Sequence, residues 1–235
     1  MTPIEAFERA RRRSAVWIGV GLLLVAAVYV RALVFTPVEA VQGLAQKIFY
    51  IHVPSAWVAF LAFGILGVTS AVYLFLKDPR VDLFAASTAE VGMVFTTAVL
   101  VTGPIWGKPI WGTWWTWDAR LTLTLFLWFV VLGYLVLRTA VHEPGQRARY
   151  SAVLGILGAL LVPFIHVSVY LFRTMHPMPV VLRPGKPTLP GAMLATLLFS
   201  FAVFTLFFVA LLWHRYALAR LADTRARAEA ERADA

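Results

Sequence analysis

Apolar residues run through this chain in six long blocks, at about 16–35, 53–76, 84–102, 119–140, 150–171 and 190–213, separated by short polar breaks. Each block is long enough to cross a bilayer as a helix, which takes roughly 20 apolar residues. No break is long enough to hold a separate soluble domain. The pattern predicts an all-α fold, an integral membrane bundle of six transmembrane helices forming a single domain over 1–235.

Composition agrees with the pattern. Hydrophobic residues make up 60% of the chain, charged residues 14%, and mean hydropathy is +0.77, more apolar surface than a soluble domain of 235 residues can hide. Arg9, Arg11, Arg12 and Arg13 precede the first block and no small-residue cleavage site follows it, so an uncleaved span is expected rather than a signal peptide. The absence of cysteine removes disulfide and thiolate chemistry.

Orientation follows from the basic residues, because loops rich in lysine and arginine stay in the cytoplasm. With the N-terminus inside, the inner segments hold fourteen of the 21 lysines and arginines, among them Lys77, Arg80, Arg147, Arg149 and Arg220. Both termini are therefore expected in the cytoplasm. The net charge of +9 is assigned to this inside bias and to anionic lipid, not to nucleic acid. The tail 215–235 mixes alanine with both charge signs and is expected as a cytoplasmic solvated helix or frayed end.

One external break stands apart. Residues 103–120 read GPIWGKPIWGTWWTWDAR and hold Trp106, Trp111, Trp114, Trp115 and Trp117. An interfacial aromatic belt places one or two such residues per helix end. Five in one connection suit a large planar apolar ligand, since indole offers a broad π-face with one N–H donor. A tryptophan that loses roughly 200 Å² to a ligand contributes a few kcal/mol at about 25 cal/mol per Å². Gly107, Pro109 and Gly112 argue for an irregular, tryptophan-rich external loop that leads into a helix capped near Thr113. If 113–118 were helical, Trp111, Trp114, Trp115 and Asp118 would share a stripe; if extended, Trp111, Trp115 and Trp117 would share a face.

In this topology two histidines reach the same outer side: His52, just before the second span, and His176, after the fifth. Either alone would read as an interfacial polar anchor. A pair flanking an aromatic platform is what haem needs, because two neutral imidazoles can supply axial nitrogens while tryptophans cover the porphyrin. Haem propionates call for cations, and Arg120, Lys108, Arg173 and Arg183 are candidates on that face. His166, three residues after Pro163, is read as structural. Glu90, costly within a span, is expected to face the bundle or a partner, and Arg31 to snorkel to the interface.

The run WGKPIWGTWWTWDARLT resembles the tryptophan-rich WWD signature of the haem-handling proteins of cytochrome c biogenesis. Six spans in a chain of this length, YIHVPSAW before the second span and RTMH after the fifth make it similar, over essentially its whole length, to the CcmC family. The resemblance implies that His52 and His176 are axial ligands of haem b. It also implies haem contact by Trp106, Trp111, Trp114, Trp115, Trp117 and Asp118, with Arg120 completing the motif. Family members usually carry a tryptophan pair shortly before the second histidine, where this chain has Leu171 and Phe172.

By the same resemblance the chain would be a haem-presenting subunit in the bacterial cytoplasmic (inner) membrane. It would deliver haem to the chaperone CcmE and work with CcmA, CcmB and CcmD. It would be a presenter and not the enzyme that attaches haem to a cytochrome; no phosphate-binding loop of the Walker type occurs, so ATP hydrolysis would fall to a partner. Two other classes compete: a b-type cytochrome, whose ligands more often face each other within spans, and a permease whose tryptophans only anchor the interface.

Overall fold

The computed structural model describes residues 3–181 and 183–233. Six helices carry the chain: α1 Pro3–Val30, α2 Phe49–Leu76, α3 Pro79–Trp111, α4 Ala119–Ala140, α5 Pro144–Leu171 and α6 Gly191–Ala233. All six are long and apolar enough to cross a membrane, and no strand occurs among the described residues. The chain is a multi-pass membrane bundle, as its apolar blocks predict.

Helix α2 is the axis of the bundle and packs against α3, α5 and α6; α1 lies on α6, and α4 on α5 and α3. Small residues let α2 and α5 approach closely. A methyl group added at Gly155 would stand 2.4 Å from Ser70 Oγ, and one at Gly67 would stand 2.4 Å from Ala159 Cβ. Close backbone approach of this kind replaces the hydrophobic drive that lipid cannot supply. Two larger apolar clusters lie around this contact. Tyr50, Val58, Phe95, Leu197 and Phe208 join α2, α3 and α6, and Phe63, Leu66, Leu127, Val131, Tyr134 and Ile165 join α2, α4 and α5.

Two ion pairs tie helices together within the bundle. Arg138 on α4 grips Asp82 on α3 in a two-pronged bond of 2.6 and 2.8 Å, and Arg215 on α6 does the same for Glu90 on α3. Glu90 thus faces the bundle. Arg31 does not snorkel outward: it bonds Thr196 at 3.2 Å from a π-helical turn, Arg31–Phe35, that follows α1. Thr36 closes that turn on the Arg31 carbonyl, and the buried Lys47 ammonium donates to the carbonyls of Thr36 and Pro37.

Several boundaries differ from the expectation. Helix α2 begins at Phe49, so His52 sits inside its first turn rather than ahead of it. Helix α3 runs on through Pro104, Gly107 and Pro109 to Trp111, where a loop was expected. Proline removes an N–H and would cost a helix about 3 kcal/mol in water, but packed neighbours in a membrane protein hold such helices together. With 33 residues, α3 reaches about 50 Å, well beyond a hydrocarbon core of about 30 Å. Within 103–120, only 112–118 is irregular. The cap of α4 is Asp118, not Thr113: its carboxylate accepts the Leu121 amide at 3.1 Å. The tail is helical through Ala233 as an unbroken extension of α6.

Candidate functional site

The N-terminal turn of α2, the end of α3, the start of α4 and the segment after α5 converge at one end of the bundle. They enclose a cavity whose empty space, open mouth included, is about 1440 Å³. Its wall includes Trp106, Trp111, Trp114, Trp115, His52, His176 and Arg120, and it deepens past Phe60 to Leu127 and Ile165. Four of the five motif tryptophans and both expected ligands therefore meet in one space.

Local chemistry places each of them. Gly112, at φ 75°, ends α3 in a left-handed turn that most side chains resist. Lys108 caps that end by donating to the Gly112 carbonyl at 2.9 Å, which occupies one of the expected propionate partners. Trp111 folds back over its own helix: a methyl at Gly107 would stand 2.9 Å from the indole. Trp106 donates to Gln42 Oε1 at 3.1 Å and stands edge-on to Phe49 and to His52. Trp117 is 77% exposed beyond the cavity wall, edge-on to Trp115. Neither the helical stripe nor the extended face describes this grouping, because the tryptophans come partly from α3 and partly from the irregular stretch after it.

His52 is buried, and its Nδ1 lies 2.8 Å from Thr102 Oγ1 on α3. His176 is fixed by its own segment. Its Nδ1 lies 2.8 Å from the Pro177 carbonyl oxygen, which can only accept, so Nδ1 carries the proton. Its backbone N–H donates to Thr174 Oγ1 at 3.0 Å, and Thr174 donates in turn to Asp118 Oδ2 at 2.9 Å. Asp118 thus lies outside the cavity wall and ties the His176 segment to the start of α4. Burial, with the Arg120 guanidinium nearby, lowers the His176 pKa to about 4, so the imidazole is neutral at ordinary pH.

Arg120 Nη1 comes only to 3.5 Å from His176 Nδ1, and that nitrogen is already engaged by Pro177. No carboxylate lies within ion-pair distance of this guanidinium among the described residues. The Trp115 indole N–H, also on the wall, is buried without an acceptor. A cation and a donor left open beside apolar walls fit a flat ligand that carries carboxylates on one edge. The remaining basic candidates, Arg173 and Arg183, are exposed and lie off the wall, as do Leu171 and Phe172.

Sequence reasoning did not single out Thr102 or the Pro177 carbonyl. Both act through contacts that depend on how α2 meets α3 and how the segment after α5 folds back. His166 lines the cavity as well.

Such a bundle, with an indole-walled cavity at one end, defines a polytopic membrane protein. The family model for heme exporter protein C, CcmC, matches residues 2–232, and the chain belongs to that family. Among its relatives, the heme exporter protein C of Bradyrhizobium diazoefficiens is 37% identical over 195 residues, covering 83% of this chain and 74% of the relative. That of Haemophilus influenzae is 34% identical over 223 residues, covering 95% and 86%.

Proposed function

We propose that this chain, acting as one unit, holds haem b as cargo at the outer face of the bacterial inner membrane and presents it to the periplasmic chaperone CcmE. Both termini then lie in the cytoplasm, in keeping with the basic residues at the end opposite the cavity. The reading is carried by a single observation: His52 and His176, from distant parts of the chain, line one cavity with four tryptophans.

In this reading Trp106, Trp111, Trp114 and Trp115 form the apolar walls, and His52 and His176 supply neutral nitrogens to iron. Arg120, with the Trp115 indole N–H, receives propionate. Trp117, standing against Trp115 at the mouth, extends the wall where a partner would meet the cargo. Asp118 acts through the His176 segment. The chain carries out no bond-making of its own, and ATP hydrolysis belongs to CcmA, working with CcmB and CcmD. The names of the relatives, heme exporter protein C, support the cargo.

A b-type cytochrome is less well supported, because His176 sits in a connecting segment and His52 in a first turn, not midway along facing helices. The experiment that tests the proposal loads detergent-purified protein with haem and mixes it with haem-free CcmE. Passage of haem to the chaperone is expected. A haem that cycles reversibly between oxidation states but never leaves would point to electron transfer, and failure of the wild type to bind haem at all would overturn the reading.

A further inference from the structure

We propose that Thr102 decides which nitrogen His52 offers to the cavity, and is therefore a positioning residue for the iron contact; this rests on the haem-holding reading above. Thr102 Oγ1 makes two short contacts, 2.6 Å to the Ala98 carbonyl oxygen one turn back on α3 and 2.8 Å to His52 Nδ1 on α2. The hydroxyl has one proton. Given to Ala98, it leaves the oxygen free to accept from His52 Nδ1–H, and both contacts are satisfied. Given to His52, it leaves two oxygen lone pairs facing each other at 2.6 Å. The first arrangement wins, and Nε2 is the nitrogen left for a ligand.

The same short stretch of α3 fixes the ring in space. A methyl at Gly103 would touch His52 Cε1 at 3.4 Å, and the Trp106 ring stands edge-on to the imidazole at 5.7 Å between centroids. Thr102, Gly103 and Trp106 therefore hold His52 from one helix, with the hydroxyl setting the tautomer and the other two setting the orientation. His176 reaches the same tautomer by another route, through the Pro177 carbonyl. A carbonyl cannot donate, so the Pro177 contact admits only Nδ1–H at His176; a hydroxyl can turn, so the choice at His52 depends on the Ala98 carbonyl holding the proton of Thr102. Partners of this kind to a metal-binding histidine, though they never touch the metal, commonly change metal affinity by about 10–100-fold.

The test compares wild type with Thr102→Val, which keeps the shape and removes the hydroxyl, and Thr102→Ser, which restores it. In haem-free protein labelled with nitrogen-15 at histidine, with the His52 signals assigned by their loss in His52→Gln, the wild type and Thr102→Ser should show the Nδ1–H tautomer. Thr102→Val should show a mixture. Hemin titration of the same samples should show about 10–100-fold weaker binding for Thr102→Val and near wild-type binding for Thr102→Ser. If Thr102→Val does not fold, Thr102→Ala is read in the same way. A wild-type tautomer ratio in the hydroxyl-free variant, or a serine variant that behaves like valine, would overturn the proposal. Because the nitrogen-15 spectrum is recorded without haem, it stands even if hemin fails to bind wild type, which would instead overturn the haem-holding reading.

Discussion

Thr174 donates its hydroxyl to Asp118 Oδ2 at 2.9 Å, so the residue that caps α4 also anchors the segment that carries His176. Thr116 adds a second hydroxyl to the same oxygen at 3.2 Å. The acidic residue that closes the tryptophan motif is thus a joint between two parts of the cavity.

Asp118→Ala should loosen both. Loss of an N-cap costs about 1 kcal/mol, a modest fall in thermal stability. The larger effect falls on His176, whose backbone N–H is held by Thr174. The spectrum of bound haem should shift toward a mixture of ligation states, while Asp118→Asn, which keeps an acceptor oxygen, should stay closer to wild type. A ligation state unaltered in Asp118→Ala would show that His176 is positioned without this joint.

Arg120→Gln should weaken haem retention without changing the axial ligands. A hydrogen bond to a charged group contributes roughly 1.5–3 kcal/mol, about 10–100-fold in affinity. Hemin titration checks this. Esterified haem, which lacks the propionate charges, should bind the two proteins alike, and an equal loss with both haems would point to packing instead.

Asp82 and Arg138 supply a control far from the cavity. Their side chains are only 11% and 13% exposed, and removing one member of such a pair typically costs 3–5 kcal/mol. Arg138→Met should therefore lower thermal stability sharply. Adding Asp82→Leu should recover much of the loss, since no buried charge is then left alone. Haem spectra should be unaffected in the double variant, and a changed spectrum there would argue that the two ends of the bundle are coupled.

The sequence carried the six spans plainly, because apolar length is a strong signal in a membrane protein. It also singled out residues that come together in space: His52, His176, Arg120 and four of the five tryptophans line one cavity. What it missed was helical continuity. Gly107, Pro104 and Pro109 are helix breakers by propensity, yet α3 passes through all three, and packing overrides local preference there. The cap at Asp118 was obscured by Thr113, an equally suitable residue on propensity alone. The place of Trp117 outside the wall follows from the turn at Gly112, and the geometry of 112–118 could not be read from spacing.

The decisive observation is the absorption spectrum of haem-loaded protein with His52→Ala and His176→Ala introduced singly. Wild type should be six-coordinate, and each variant should pass to a five-coordinate or solvent-ligated form while keeping measurable haem through the tryptophan walls. Identical six-coordinate spectra in wild type and both variants would contradict a shared iron between these two imidazoles.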